Sequence, residues 1–71
     1  MINENLMRAA MAEIGMKMPQ LAELLGMSLS SLYKKMHGDT DFTRKEIQKC
    51  AEIFGWNRAN AIFFDKKGGK K

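Results

Sequence analysis

Between Ser28 and His37 the chain reads SLSSLYKKMH, and these side chains are of the kinds that grip a polyanion. Tyr33, Lys34 and Lys35 follow one another within a single helical turn. Together they can offer an aromatic ring, a hydrogen bond to a base edge and an ammonium to a phosphate. Ser28, Ser30 and Ser31, just upstream, can donate to phosphates or bases, although Ser28 is equally suited to cap a helix. A solvated basic face carrying one tyrosine would use the same residues, so the chemistry depends on what holds them.

The other reactive side chains point away from catalysis. His37 is the single histidine, and with no second one and no nearby cysteine it does not make a metal site. It reads as a C-terminal helix cap or a phosphate neighbour. Cys50, the single cysteine, shares an apolar helical stripe and reads as a small buried hydrophobe. Unable to form an internal disulfide, it suits a reducing compartment. The methionines recur at helical spacing as core filler. Glycine-rich phosphate loops, paired carboxylates and Ser/His/Asp sets are all missing, so neither an enzyme nor a cofactor is expected.

Charge is distributed unevenly. Residues 1–27 carry Arg8 and Lys17 against Glu4, Glu13 and Glu23, whereas the remainder carries ten Lys or Arg against five acids, for a formal net charge of +4. A basic half makes a polyanion a plausible partner, as would a merely lysine-rich surface. At 71 residues the chain has room for one small core and a thin margin of stability. It contains no apolar run long enough to span a membrane, and its N-terminus is unlike a secretory signal, so a cytoplasmic location is expected.

The elements that must position these residues are helices. Three segments end alike: AEIGM at 12–16, AELLGM at 22–27 and AEIFGW at 51–56. In each, a glycine can take the left-handed conformation past the last turn, and the apolar residue after it (Met16, Met27 or Trp56) is expected to fold back on the helix end. Between these stops the chain reads as five short helices and no strand. The first spans roughly Asn3 to Ile14, with Leu6, Ala10 and Ile14 on its stripe and Met7 and Met11 beside them. The second begins near Pro19, a good first-turn residue, and ends before Gly26. The third follows Ser28 as N-cap and places Leu32 and Met36 on one face. The fourth opens on a Thr43/Glu46 capping box and carries Ile47, Cys50, Ala51 and Phe54 on its apolar side. The fifth starts after Asn57 and uses Ala59, Ile62 and Phe63. Residues 1–65 form the domain, and the basic KKGGKK of 66–71 reads as a flexible tail.

The break at Gly26, Met27 and Ser28 is the informative feature. Two short helices joined by a three-residue turn containing glycine form a helix-turn-helix, at about 19–36, with the halves crossing steeply. Ala22 is small where the halves approach, Gly26 permits the turn and Leu32 plugs the angle. An unbroken helix would bury the same leucines but would lose a rigid, exposed rod able to enter a major groove about 12 Å wide.

The run from Lys17 to Gly38, KMPQLAELLGMSLSSLYKKMHG, resembles the helix-turn-helix of the lambda-repressor-like family, which includes phage repressors and Cro proteins. Ala22, Gly26 and Leu32 fall where that family has its alanine, glycine and plug, and the five-helix layout covers nearly the whole chain. The resemblance implies an all-α DNA-binding domain whose third helix reads bases through Leu29, Ser30, Ser31, Tyr33 and Lys34. It places Lys17 and Met18 beside a phosphate, with Ser28, Lys35 and Arg44 as further phosphate contacts. Arg44 and Lys45 open the fourth helix, where positive charge opposes the helix dipole unless an anion lies there. Many members have glutamines where this chain has Met18, Leu29 and Ser30, which implies a less polar readout. Many also join helix one to helix three by an arginine–glutamate pair, and Met11 and Met36 stand at the matching positions.

The implied function is sequence-specific transcriptional regulation of the Cro type, by occupying operator DNA. The short length favours Cro over a larger repressor. The alternative is a protein-binding modulator that kept the fold and grips another regulator, such as a phage repressor, through Leu29, with Asp39 and Asp41 meeting its basic surface. Phe63 and Phe64 are adjacent and one helix face cannot bury both. Either Phe64 is left for a second subunit in a homodimer, or the last turn unwinds and Phe64 folds back.

Overall fold

The computed structural model describes residues 2–64, all of whose regular structure is helical: α1 (Glu4–Glu13), α2 (Met18–Leu25), α3 (Leu29–His37), α4 (Arg44–Phe54) and α5 (Trp56–Phe64). The expected tail at 66–71 lies outside the described residues, as does Asp65. Helix α5 packs on α4 and α1, and α2 packs on α3 and α4. None of the described helices is long and apolar enough to cross a membrane.

Local chemistry fixes the helix ends. Asn3 Oδ1 accepts the Leu6 N–H at 3.1 Å to start α1, and the Asn3 N–H donates to the Ile62 carbonyl at 2.8 Å, tying the entry of α1 to α5. At the ends of α1 and α2 the chain closes as expected: Met16 N–H reaches the Met11 carbonyl (2.9 Å) and Met27 N–H the Ala22 carbonyl (3.0 Å). Both methionines are half-buried against the core. These back-bonds satisfy carbonyls that the helix end leaves without partners. Ser28 Oγ accepts the Ser31 N–H at 3.1 Å and restarts the chain as α3. Thr43 and Glu46 exchange side-chain to backbone bonds at the start of α4.

The third stop departs from expectation. Gly55 has φ 98° and ψ 150°, not the helical left-handed values, and α5 starts at Trp56 instead of after Asn57. Trp56 therefore does not fold back, and it is 57% exposed. The next carbonyl partner is already supplied, because the Ala59 N–H donates to Gly55 O at 3.0 Å and begins the new helix at once.

Leu32 and Met36 from α3 meet Met7 and Met11 of α1, Met18, Leu21 and Ala22 of α2, Cys50 and Phe54 of α4, and Ile62 of α5 in one core cluster. Met11 and Met36 thus bury apolar surface at the positions where the resembling family carries charge. In α1 the buried face is Met7, Ala10 and Met11, while Leu6 and Ile14 are exposed. Of the expected Leu6–Ala10–Ile14 stripe only Ala10 is buried; the inward face runs through Met7 and Met11 beside it, and Ile14 is the C-cap of the helix. Phe63 is half-buried and meets Phe42 edge-to-face, with ring centroids 5.1 Å apart. Arg58 of α5 pairs with Glu13 of α1.

Candidate nucleic-acid interface

Helix α3 is held from beneath by fully buried Leu32 and by Met36. At 100° per residue, Ser30, Lys34 and His37 fall within about 60° of one another, roughly opposite those two. All three are exposed, and they form the outward ridge of the helix. Leu29 and Tyr33 flank the ridge, each 38% exposed. The Tyr33 ring lies nearly parallel to the His37 imidazole, 14° between planes and 6.3 Å between centroids. Lys34, Lys35 and His37 sit in the last turn of α3, where the helix dipole favours positive charge.

Four residues expected at this surface have other work. Met18 is only 8% exposed and belongs to the core, because the first turn of α2 packs inward. Ser31 is half-buried, and its Oγ accepts a hydrogen bond from Ser28 Oγ at 3.0 Å. The Ser28 hydroxyl is thereby engaged twice, as acceptor from the Ser31 N–H and as donor to the Ser31 hydroxyl, and serves as the cap.

Lys35 is the clearest correction to a phosphate-contact role. Its side chain is 15% exposed, with Nζ 3.1 Å from Glu46 Oε1, 2.8 Å from the Asp41 carbonyl and 5.9 Å from the centroid of the Phe42 ring. The ammonium turns inward because a carboxylate, a carbonyl and an aromatic face together replace its water. This cluster fastens α3 to the start of α4 and the loop between them. Burial opposes ionisation of Glu46, but the Thr43 N–H bond and the Lys35 charge outweigh it and hold the carboxyl below its ordinary range.

Lys17, at the N-cap of α2, is exposed, and its backbone N–H donates to Gln20 Oε1 at 2.8 Å. A lysine side chain accepts no hydrogen bond, so only the glutamine half of a capping box forms here. Arg44 and Lys45 are exposed at the start of α4. Arg44 also lines a shallow groove with Ile47, Gln48, Trp56 and Phe64. Phe64 is 50% exposed beside α4, and α5 remains helical through it.

Two further surface features stand out: His37, which the sequence reads as a helix cap or a phosphate neighbour, and Trp56, which the sequence expects to fold back on the helix end. His37 lies seven residues from Ser30 and three from Lys34, a helical spacing that places it on their ridge. Trp56 joins Phe64 in the groove because the chain turns outward at Gly55. Cys50 is fully buried, and burial, with a smaller contribution from Glu46, pushes its thiol up to about 12. A thiol held protonated is a packing group, not a nucleophile.

The family model described as "BetR domain" matches residues 1–70. No curated protein and no solved structure matches the chain.

Proposed function

The chain belongs to the BetR domain family, and on that premise we propose that it is a DNA-binding transcriptional regulator of the Cro type that occupies operator DNA through α3. The observation that carries this reading is the ridge of Ser30, Lys34 and His37, flanked by Tyr33 and Leu29, on a helix whose other face is locked into the core by Leu32 and Met36. A rigid helix offering donors and positive charge outward suits the major groove. Membership of the family supports a regulatory DNA-binding role, and the resemblance of residues 17–38 to lambda-repressor-like proteins supports the docking mode.

In this reading Lys34, Ser30 and Tyr33 meet base edges, and Lys17 and Arg44 meet phosphates. Exposed Trp56 and Phe64 form the contact between two copies, which would place two α3 helices on successive turns of a nearly palindromic site, about 34–36 Å apart. The protein acts in the cytoplasm by excluding polymerase or a competing regulator.

A second reading draws support from exposed Leu24 and Leu29, at the two sides of the turn. There the chain grips another regulator, such as a phage repressor, and Asp39 and Asp41 meet basic groups on it. Titrating the chain against its neighbouring promoter DNA, with and without a co-encoded repressor, separates the readings. DNA binding that collapses with salt is expected from the first. Negligible DNA affinity beside a salt-insensitive protein complex would replace it with the second.

A further inference from the structure

Lys35 lies between the two helices that carry the proposed DNA contacts. Lys34 precedes it on α3, and on α4 Arg44 stands just before its partner Glu46. The connection between these helices is anchored residue by residue. The Asp39 and Thr40 N–H groups return to the Lys34 carbonyl, at 2.9 and 3.4 Å. The Asp41 carbonyl accepts from Lys35 Nζ at 2.8 Å, Phe42 packs edge-to-face on Phe63 of α5, and the Thr43 N–H donates to Glu46 Oε1 at 2.9 Å. The bonds of Asp39 and Thr40 stay with α3, and that of Thr43 stays with α4. Among the described residues, the ion pair that joins one helix to the other is Lys35–Glu46, at 3.1 Å.

Both members of the pair are shielded, with side chains 15% and 19% exposed, so salt screens them less than an exposed pair. The Glu46 oxygen that meets Lys35 is also held by the Thr43 N–H, which makes it a fixed acceptor. For Lys35 to swing out to a phosphate, it would have to give up the Asp41 carbonyl and strip a shielded carboxylate of its counter-ion. The outward cations of the two helices, Lys34 and Arg44, are exposed and carry no such tie. The same surface thus holds cations free to meet DNA and one that is spent on joining the elements they stand on.

Phosphate contacts set the register in which base contacts are made. A base reader on one helix and a phosphate contact on the next therefore depend on how the two helices are held. We infer that Lys35 and Glu46 are positioning residues that set sequence preference, by keeping Lys34 in the register that Arg44 fixes on the DNA backbone, and that neither touches DNA. The inference rests on the DNA-binding reading above and goes beyond it. Affinity for any duplex comes from the outward cations, whereas discrimination between duplexes comes from the inward pair.

The test replaces the pair as a unit. Lys35→Met with Glu46→Gln keeps the net charge, keeps an unbranched stem beside Phe42 and keeps an amide oxygen able to cap Thr43. A duplex enriched from a random pool by the unmodified chain, and a mixed-sequence duplex of equal length, are each titrated at two salt concentrations. The double variant should bind the mixed duplex with the affinity and salt slope of the unmodified chain, while the ratio of affinities between the two duplexes falls about tenfold, the worth of one good base contact. A slope flatter by about one would make Lys35 a phosphate contact and overturn the inference. An unchanged ratio would overturn it as well, and either result leaves the DNA-binding reading standing. No binding of any duplex by the unmodified chain would remove both. A measurement on the unmodified free chain covers a double variant that does not fold. Nitrogen-15 relaxation should find the amides of residues 39–42 as rigid on the nanosecond scale as those of α3 and α4, and a mobile connection would overturn the inference whatever the partner.

Discussion

AELLGM and AEIFGW end two helices in nearly the same letters and leave the chain in opposite conditions. At Gly26 (φ 72°, ψ 34°) the backbone curls left-handed, Met27 folds onto the core and Ser28 caps a helix that presents polar and basic groups outward. At Gly55 the similar φ of 98° is joined to a ψ of 150°, which sends Trp56 into solvent and leaves an aromatic patch with Phe64. An unbranched thioether bends into the space left at a helix end, whereas a rigid indole must find a space of its own shape. One stop therefore builds the surface proposed for DNA, and the other builds the surface proposed for a second copy.

The comparison is broken most severely by emptying the joint beneath the first stop. Leu32→Ala removes a fully buried plug and should cost about 2–5 kcal/mol in chemical denaturation. Trp56→Ala, which removes a larger but exposed side chain, should cost under about 1 kcal/mol. Equal losses would mean that the indole, too, is part of the core.

The two glycines can be told apart by one substitution. A Cβ built at either Gly26 or Gly55 meets no atom within 4 Å, so any cost is conformational and not steric crowding. Asparagine tolerates the left-handed helical region but not the extended region at positive φ. Gly55→Asn should therefore cost about 1–3 kcal/mol, and Gly26→Asn less than about 1 kcal/mol. The reverse order in thermal unfolding would show that the two turns have been misjudged.

A smaller effect sharpens the mechanical difference, since the helix after the first stop is fastened at its far end by the side-chain cluster around Lys35, whereas α5 is tied near its far end by the backbone bond between Asn3 and Ile62. The Glu46 carboxyl is held below its ordinary value of 4.5. Its stabilising contribution is thus complete above that pH and is lost as pH falls through the lower folded value. As pH falls below 4.5, the unmodified chain should lose stability more steeply than Glu46→Gln does. Parallel curves would detach Glu46 from the stability of the α3–α4 junction. At the second stop, Phe64→Asp should weaken self-association in ultracentrifugation and leave the monomer folded, and unchanged association would remove Phe64 from that contact.

Much of this architecture was legible because its signals are local. The glycine stops, the Ser28 and Thr43 caps and the Leu32–Met36 stripe each act within a turn or two of chain, and each of these helices lies close to where those signals put it. The site was less legible where tertiary contacts decide. Lys34 and Lys35 are neighbours of identical chemistry. Only the fold shows that Glu46, the Asp41 carbonyl and Phe42 draw one of them inward. The bond from Ser28 to Ser31 was not legible because it depends on the rotamer that the cap selects. Trp56 was misjudged because periodicity says nothing about ψ at the preceding glycine. His37, by contrast, was readable: its spacing from Ser30 and Lys34 is helical.

The central claim is that α3 presents Lys34 to bases while Arg44 meets phosphate, and a DNA titration of Lys34→Ala and Arg44→Ala at two salt concentrations tests it most directly. Lys34→Ala should cost about 1–3 kcal/mol at one position of the operator and relax the preference there, whereas Arg44→Ala should weaken all sequences alike and flatten the salt slope by about one. For a dimer meeting about 6–10 phosphates, the affinity of the unmodified chain should fall by about 10³ to 10⁵ between 50 and 200 mM salt. A flat titration of the unmodified chain at 50 mM salt, with no complex on any duplex, would contradict the account.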